Sequence, residues 1–251
     1  NGIYNHSENI GDAWERASSV EWIDAAGGSE FQVDAGVRIH GGSSRNPAST
    51  LKHSLRISFD GQYGPANLNF PLFGAGAVDE FDKLVLRGPY TDSWTPRTSD
   101  PEYHPSNAQF FRDQWMRDTQ RAMGHLSAQG RFAHVYLNGL YWGIYNVTER
   151  TDAQFAAEHL GGSDEEYDAI KDSEALDGDR QAWDAMLAIA NAPAGLAGAA
   201  EYQAIQEYID PENLIDYMLL HIYSGGLDWP DHNWAAVRRR QPGETFHFLV
   251  W

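Results

Sequence analysis

The chain has 251 residues, 42% of them hydrophobic, and a formal net charge of -18. That length and apolar share give a globular protein with a substantial core, built as one large domain or two lobes, and no run of about 18 apolar residues is present to span a membrane. The charge opposes nucleic acid and anionic membranes, and the absence of cysteine removes disulfide and thiolate chemistry. A phosphate-bearing ligand would need a locally basic pocket, and lysine is scarce: there are three, Lys52, Lys83 and Lys171.

In chain order, an opening strand is expected over 19–23. Phe31 to His40 alternates as a half-buried strand. Gly41-Gly42-Ser43-Ser44-Arg45-Asn46-Pro47 is a turn of small residues; it reads either as a phosphate cradle of backbone amides at Gly42, Ser43 and Ser44 or as an ordinary hairpin loop. In 52–59, His53, Leu55, Ile57 and Phe59 share one face and Lys52, Ser54, Arg56 and Ser58 the other. Lys52 and Arg56 thus make a basic face just after the turn, suited to nucleotide phosphates or simply turned to solvent. A second strand over 81–87 carries Lys83 and Arg87. Ser106 with Gln109 fits a capping box and predicts a helix to about Met123, stopped by Gly124. It contains no glutamate, and Asp113 and Asp118 are its acids. Asn138-Gly139 between two alternating runs predicts a hairpin. Thr151 with Gln154 predicts the next capped helix, and the change from sheet to helix near residue 150 is the expected boundary, with 1–149 sheet-rich and 150–251 mostly helical. Helices follow over 179–191 and 200–208. Asp210-Pro211-Glu212 supplies an N-cap, an N1 proline and a first-turn acid for another. Two strands, 234–238 and 246–251, close the chain.

Between that last helix and the first closing strand lies 225–234, Gly-Gly-Leu-Asp-Trp-Pro-Asp-His-Asn-Trp. The two glycines stop the helix and Pro230 forbids its continuation. Asp228 and Asn233 stand five apart, the spacing that protein kinases use for the aspartate accepting the substrate hydroxyl proton and the asparagine holding a metal ion on the phosphates. The same pair equally fits a helix-to-strand connection that caps its own backbone. The order of elements, from lysine strand through helix and hairpin to this loop, is that of a two-lobed kinase.

Taken together, Gly36 to Arg45, Lys52 to Arg56, Phe70 to Gly74, Tyr136 to Tyr145, Glu149-Arg150, Tyr167 to Lys171 and the 228–234 loop resemble the CotH family of spore-coat-type kinases over nearly the whole chain. The resemblance implies an atypical kinase fold of the α+β type that binds ATP with Mg or Mn. It implies phosphorylation of Ser or Thr on extracytoplasmic proteins, and a secreted or spore-surface chain forming part of a larger multidomain protein. It maps Asp228 to the catalytic aspartate, Asn233 to the metal ligand, Lys52 (with Lys83 as runner-up) to the phosphate lysine, and Glu149 to a glutamate whose role the residues do not give. His232 stands where the family often has asparagine. The chain starts at Asn1 rather than a methionine and stops at Trp251 inside an apolar run, so both ends read as cut; the family's second metal aspartate would follow Trp251, so 150–251 with its catalytic loop 225–234 reads as incomplete, and the chain as given is expected to bind ATP weakly and transfer little or no phosphate. A pseudokinase or structural surface module is the alternative. A glycan-binding module, suggested by nine tryptophans, is a further one.

Overall fold

The computed structural model describes residues 2–94, 104–193, 195–226 and 229–251. The fold is mixed α/β with antiparallel sheets. It divides into two compact units, one made of Asn1–Gln114 and Gln129–Arg150, the other of Trp115–Ala128 and Thr151–Trp251. Among the described residues no helix is long and apolar enough to cross a membrane.

The first unit is built on a six-stranded antiparallel sheet. Its strands are β1 (Arg16–Trp22), β2 (Phe31–His40), β3 (Ser54–Ser58), β6 (Lys83–Arg87), β8 (Leu140–Glu149) and β7 (Gly130–Leu137), in that spatial order. Two short strands, β4 (Leu68–Asn69) and β5 (Glu80–Phe81), pair separately. The hairpin between β7 and β8 turns at Asn138 and Gly139, at φ 51° and 78°. Positive φ at both central residues matches the strand twist, and Asn-Gly is the pair that adopts it at least cost. Alternation then sorts the sheet's faces. Ile39, Leu55, Ile57, Leu84, Leu86, Tyr145 and Val147 form a core with Leu68, Phe70, Leu72 and Phe81, which come from the segment carrying β4 and β5.

The opposite face is polar but largely covered. Arg38 and Arg56 are direct cross-strand partners, a like-charge pair that would repel. Glu15 resolves it: one carboxylate oxygen lies 3.5 Å from Arg38 Nε and 3.4 Å from the Arg56 guanidinium, and Ser58 Oγ donates to it at 3.0 Å. Gly36 leaves the space, since a Cβ there would come within 2.5 Å of both Glu15 and Tyr63.

The helix expected from Ser106 starts later, as α1 (Arg112–Ala122). The Ser106 amide is taken by His104 Nδ1 in a single 3-10 turn, Pro105–Asn107. The Gln109 amide donates to Asp92 instead. Phe110 sits at φ 64°, which no right-handed helix can include.

The second unit has a sheet of its own inside its helices. β10 (Glu174–Asp177), β9 (Tyr167–Lys171), β11 (Trp234–Arg239) and β12 (His247–Val250) lie in that order, all antiparallel. Odd and even positions feed two cores. Ile170, Trp234, Ala236, Phe248 and Val250 pack with Trp183 of α3 (Gln181–Ala190) and with Tyr217 and Leu220 of α5 (Pro211–Ser224). Tyr167, Ala169, Ala235, Val237 and Leu249 pack with α2 (Ala153–Leu160). α4 (Ala199–Ile205) completes the helices, with Ile205 in the first of these cores. β12 is an edge strand, yet several of its outward backbone groups are taken. Gln120 donates to the Phe248 carbonyl at 2.8 Å and accepts from the Val250 amide at 3.1 Å. Asn213 accepts from the Phe248 amide, and the Tyr208 carbonyl from the Phe246 amide.

Candidate functional site

In the first unit, the turn after β2 is fastened from inside. Arg45 donates to the carbonyls of Ile39, Gly41, Ser7 and Asn9. Gly42 and Ser43 carbonyls accept from the Arg45 and Asn46 amides, and the Ser44 carbonyl meets His53 Nδ1 at 2.8 Å. A carbonyl only accepts, so Nδ1 carries the proton. Four consecutive carbonyls, Gly41 to Ser44, are thereby engaged by the protein.

Lys52 lies two residues before β3. Its ammonium donates to the Ile144 carbonyl at 2.6 Å and stands 4.6 Å from the Tyr145 ring centre. Burial lowers its pKa from the ordinary lysine value. Arg56 sits in the Glu15 cluster, neither free nor solvent-facing. Glu149 is 3% exposed and accepts from the Gln129 amide at 2.6 Å, while its own amide donates to the Gln129 carbonyl. Residues 144 and 149 are about 17 Å apart along β8, at about 3.4 Å per residue, so Lys52 and Glu149 are held in different places. The runner-up Lys83 pairs with Asp82.

A sheet cation does meet a helix acid, with other residues. Arg87 of β6 contacts Asp113 of α1 at 2.6 Å, and Asn146 of β8 donates to Gln114 at 2.8 Å. The sequence offered Asp113 as a candidate acid; that Arg87 would be its partner needed the β6–β8 register, Arg87 opposite Asn146.

In the second unit, Asp210 caps α5 by accepting from the Glu212 amide. The helix ends at Gly225, left-handed at φ 64°, and the Gly226 amide returns to the His221 carbonyl. Trp229 re-anchors the chain: its indole N–H donates to the Tyr217 hydroxyl at 2.9 Å, and its ring stacks on His221 at 5.0 Å and 13°. His221 is 4% exposed, and burial pushes its pKa down to about 4. Leu227 and the expected catalytic Asp228 lie outside the described residues. Asn233 is exposed, at φ 63°, immediately before β11. The following Trp234 amide points at Asp172, 3.4 Å away. Among the described residues no group of three or more His, Asp or Glu is placed to hold a metal ion.

The family model described as CotH kinase protein matches residues 37–251, and the chain belongs to the CotH kinase family. Membership brings a spore-coat-associated, kinase-like phosphotransferase as the coarse functional class. A comparison with curated proteins finds no match.

Proposed function

We propose that the protein is a two-lobed kinase that transfers the γ-phosphate of ATP to Ser or Thr of extracytoplasmic proteins, as part of a larger secreted or spore-surface chain. The observation that carries this reading is the span of the family match: residues 37–251 take in Lys52 just before β3 and Glu149 at the end of β8, as well as the segment bearing Asp228 and Asn233. Residues 1–149 serve as the sheet-rich lobe and 150–251 as the other. Asp228 accepts the proton of the attacking hydroxyl, and the loop it stands in starts at the Gly225 helix stop and is re-anchored by Trp229. Gly42, Ser43, Ser44 and Lys52 serve the phosphates, while Arg56, expected to join them, is engaged by Glu15. Glu149 fixes the Gln129 backbone.

Asn233 supplies an exposed amide oxygen, the hard donor that Mg or Mn accepts, and such ions keep one or two protein ligands while taking others from phosphate. Bound metal–ATP brings the transferable phosphoryl group and the neutralising charge. The chain's own contribution is positioning and charge stabilisation.

The test is transfer of labelled phosphate from ATP to the protein itself or to an added Ser/Thr-rich protein. Asp228→Asn lowers transfer by about 10²- to 10⁴-fold, the usual range for a lost general base, with an unchanged melting temperature because Asn is nearly isosteric. Undiminished transfer by the variant overturns the assignment. Nucleotide binding without any transfer by the unsubstituted protein points instead to a pseudokinase.

A further inference from the structure

One edge of the first unit's sheet is left open. In the spatial order of its six strands, β1 and β7 are the outer two. β1 carries exposed charges near its ends, Arg16 and Glu21, which discourage addition of a further strand. β7 has no such guard. Its one formal charge, Arg131, is drawn to the core face, where it donates to the Leu72 carbonyl at 3.0 Å and lies 4.8 Å from the Trp22 ring centre. β7 is eight residues long and pairs with β8 over its whole length. Among the described residues no backbone hydrogen bond joins it to anything but β8. Alternate amides and carbonyls of an edge strand point away from its neighbour, so β7 presents a row of open donors and acceptors.

The side chains point the same way. Phe132, His134 and Tyr136 alternate on the outward face, while Ala133, Val135 and Leu137 pack on the core. Phe132 is 45% exposed and Tyr136 62%. Tyr141 and Ile144 of β8 extend this exposed face across the ladder, and the Tyr141 hydroxyl meets His134 Nδ1 at 2.9 Å. Within 130–148 the formal charge is Arg131 alone. In a chain of net charge -18, this is a stretch where a second copy meets no carboxylate. Phe132-Ala133-His134-Val135-Tyr136 also reads nearly alike in both directions about His134. Antiparallel pairing of two copies about a two-fold axis at His134 therefore sets Phe132 opposite the partner's Tyr136, twice. On the other face it sets Ala133 opposite the partner's Val135, continuing the core layer.

We infer that β7 is a dimerisation strand, onto which a second copy of this chain adds its own β7 antiparallel, joining the two six-stranded sheets into one. The contact is isologous, so it closes at two copies and leaves no open β7 behind. Aromatic cross-strand pairs add to the ladder's hydrogen bonds. A foreign extended peptide could use the same backbone groups, but it gives no reason for the mirrored aromatic pattern. The inference rests on the sheet edge and is independent of the kinase reading.

The experiment is sedimentation over a concentration series at about 0.15 M salt, where charge is screened beyond about 8 Å. The expected result is a reversible monomer–dimer equilibrium that weakens as salt is lowered, because two acidic copies repel. Phe132→Lys is expected to weaken the dimer about 10-fold or more, since the two-fold axis counts each lost aromatic pair twice. Its melting temperature as a monomer stays that of the parent, the side chain being exposed. Adding Tyr136→Glu to Phe132→Lys sets opposite charges across the axis twice and restores association above that of the single variant. His134→Cys gives the chain its only thiol. Directly opposed residues lie about 4.5–5.5 Å apart at Cα, within the span of a disulfide. A mild oxidant should thus link His134→Cys covalently as a dimer and leave Glu21→Cys, on β1, unlinked. A monomer at every concentration overturns the inference. So does a dimer that Phe132→Lys leaves untouched, or one that Glu21→Cys links as readily as His134→Cys. A double variant no tighter than Phe132→Lys overturns the pairing about His134.

Discussion

His221 shows how much one buried ring decides. Among the described residues its Nε2 has no hydrogen-bond partner, and one face is spent on Trp229. Burial lowers its pKa from 6.5 to about 4, so the unfolded chain takes up a proton first as pH falls. Its contribution to stability is full above pH 6.5 and is lost progressively between 6.5 and about 4, by up to about 3 kcal/mol at about 1.4 kcal/mol per pH unit. Phe in its place keeps the stack and cannot charge. Chemical denaturation at pH 7 and pH 4.5 should therefore show a smaller acid loss for His221→Phe; a slope equal to the parent's would sink the account. Some slope remains in the variant, because burial also lowers His247. Residue types alone could not reveal any of this: nothing in Tyr217, His221 and Trp229 as letters says that their rings converge. Lys52 and Glu149 were legible as candidates, but their partners, the Ile144 carbonyl and the Gln129 amide, are backbone groups that no side-chain pattern announces.

Elements with local chemistry were the legible ones. The Asn138-Gly139 hairpin, the Asp210-Pro211 helix start and the Gly225 stop each specify a backbone conformation within a few residues. Asp210→Ala is expected to cost about 1 kcal/mol, the usual worth of an N-cap, read as a lowered urea midpoint with an unchanged slope. No loss would mean the cap is not holding α5. The α1 start misled because Ser106 and Gln109 satisfy a capping pattern while Asp92, distant in sequence, takes the Gln109 amide. β9 gave no strand signal for a different reason. It is buried on both faces, so alternation disappears, and Asp168, only 1% exposed, interrupts the apolar run. That carboxylate accepts from the Asp179 amide at 2.9 Å and lies 3.6 Å from Arg240, though burial still raises its pKa.

At the scale of the whole molecule, the acidic charge was fully legible, and it keeps copies apart at a distance. It is screened within about 10 Å at 0.1 M salt, so it does not protect a sheet edge once two copies touch. The covered rim of β12 does. An open edge is a template onto which another chain can add its own strand, and successive additions make fibres. The amides of Gln120 and Asn213 occupy the positions such a strand would use, mimicking a neighbour without the capacity to propagate. The β12 side of this sheet is thus terminated, in the sense in which a polymer chain is terminated. Gln120→Leu keeps the volume and removes the cover. At raised concentration and salt it should seed thioflavin-positive assemblies while the parent stays dispersed. If the variant stays as dispersed as the parent, the rim is guarded by something other than these two amides.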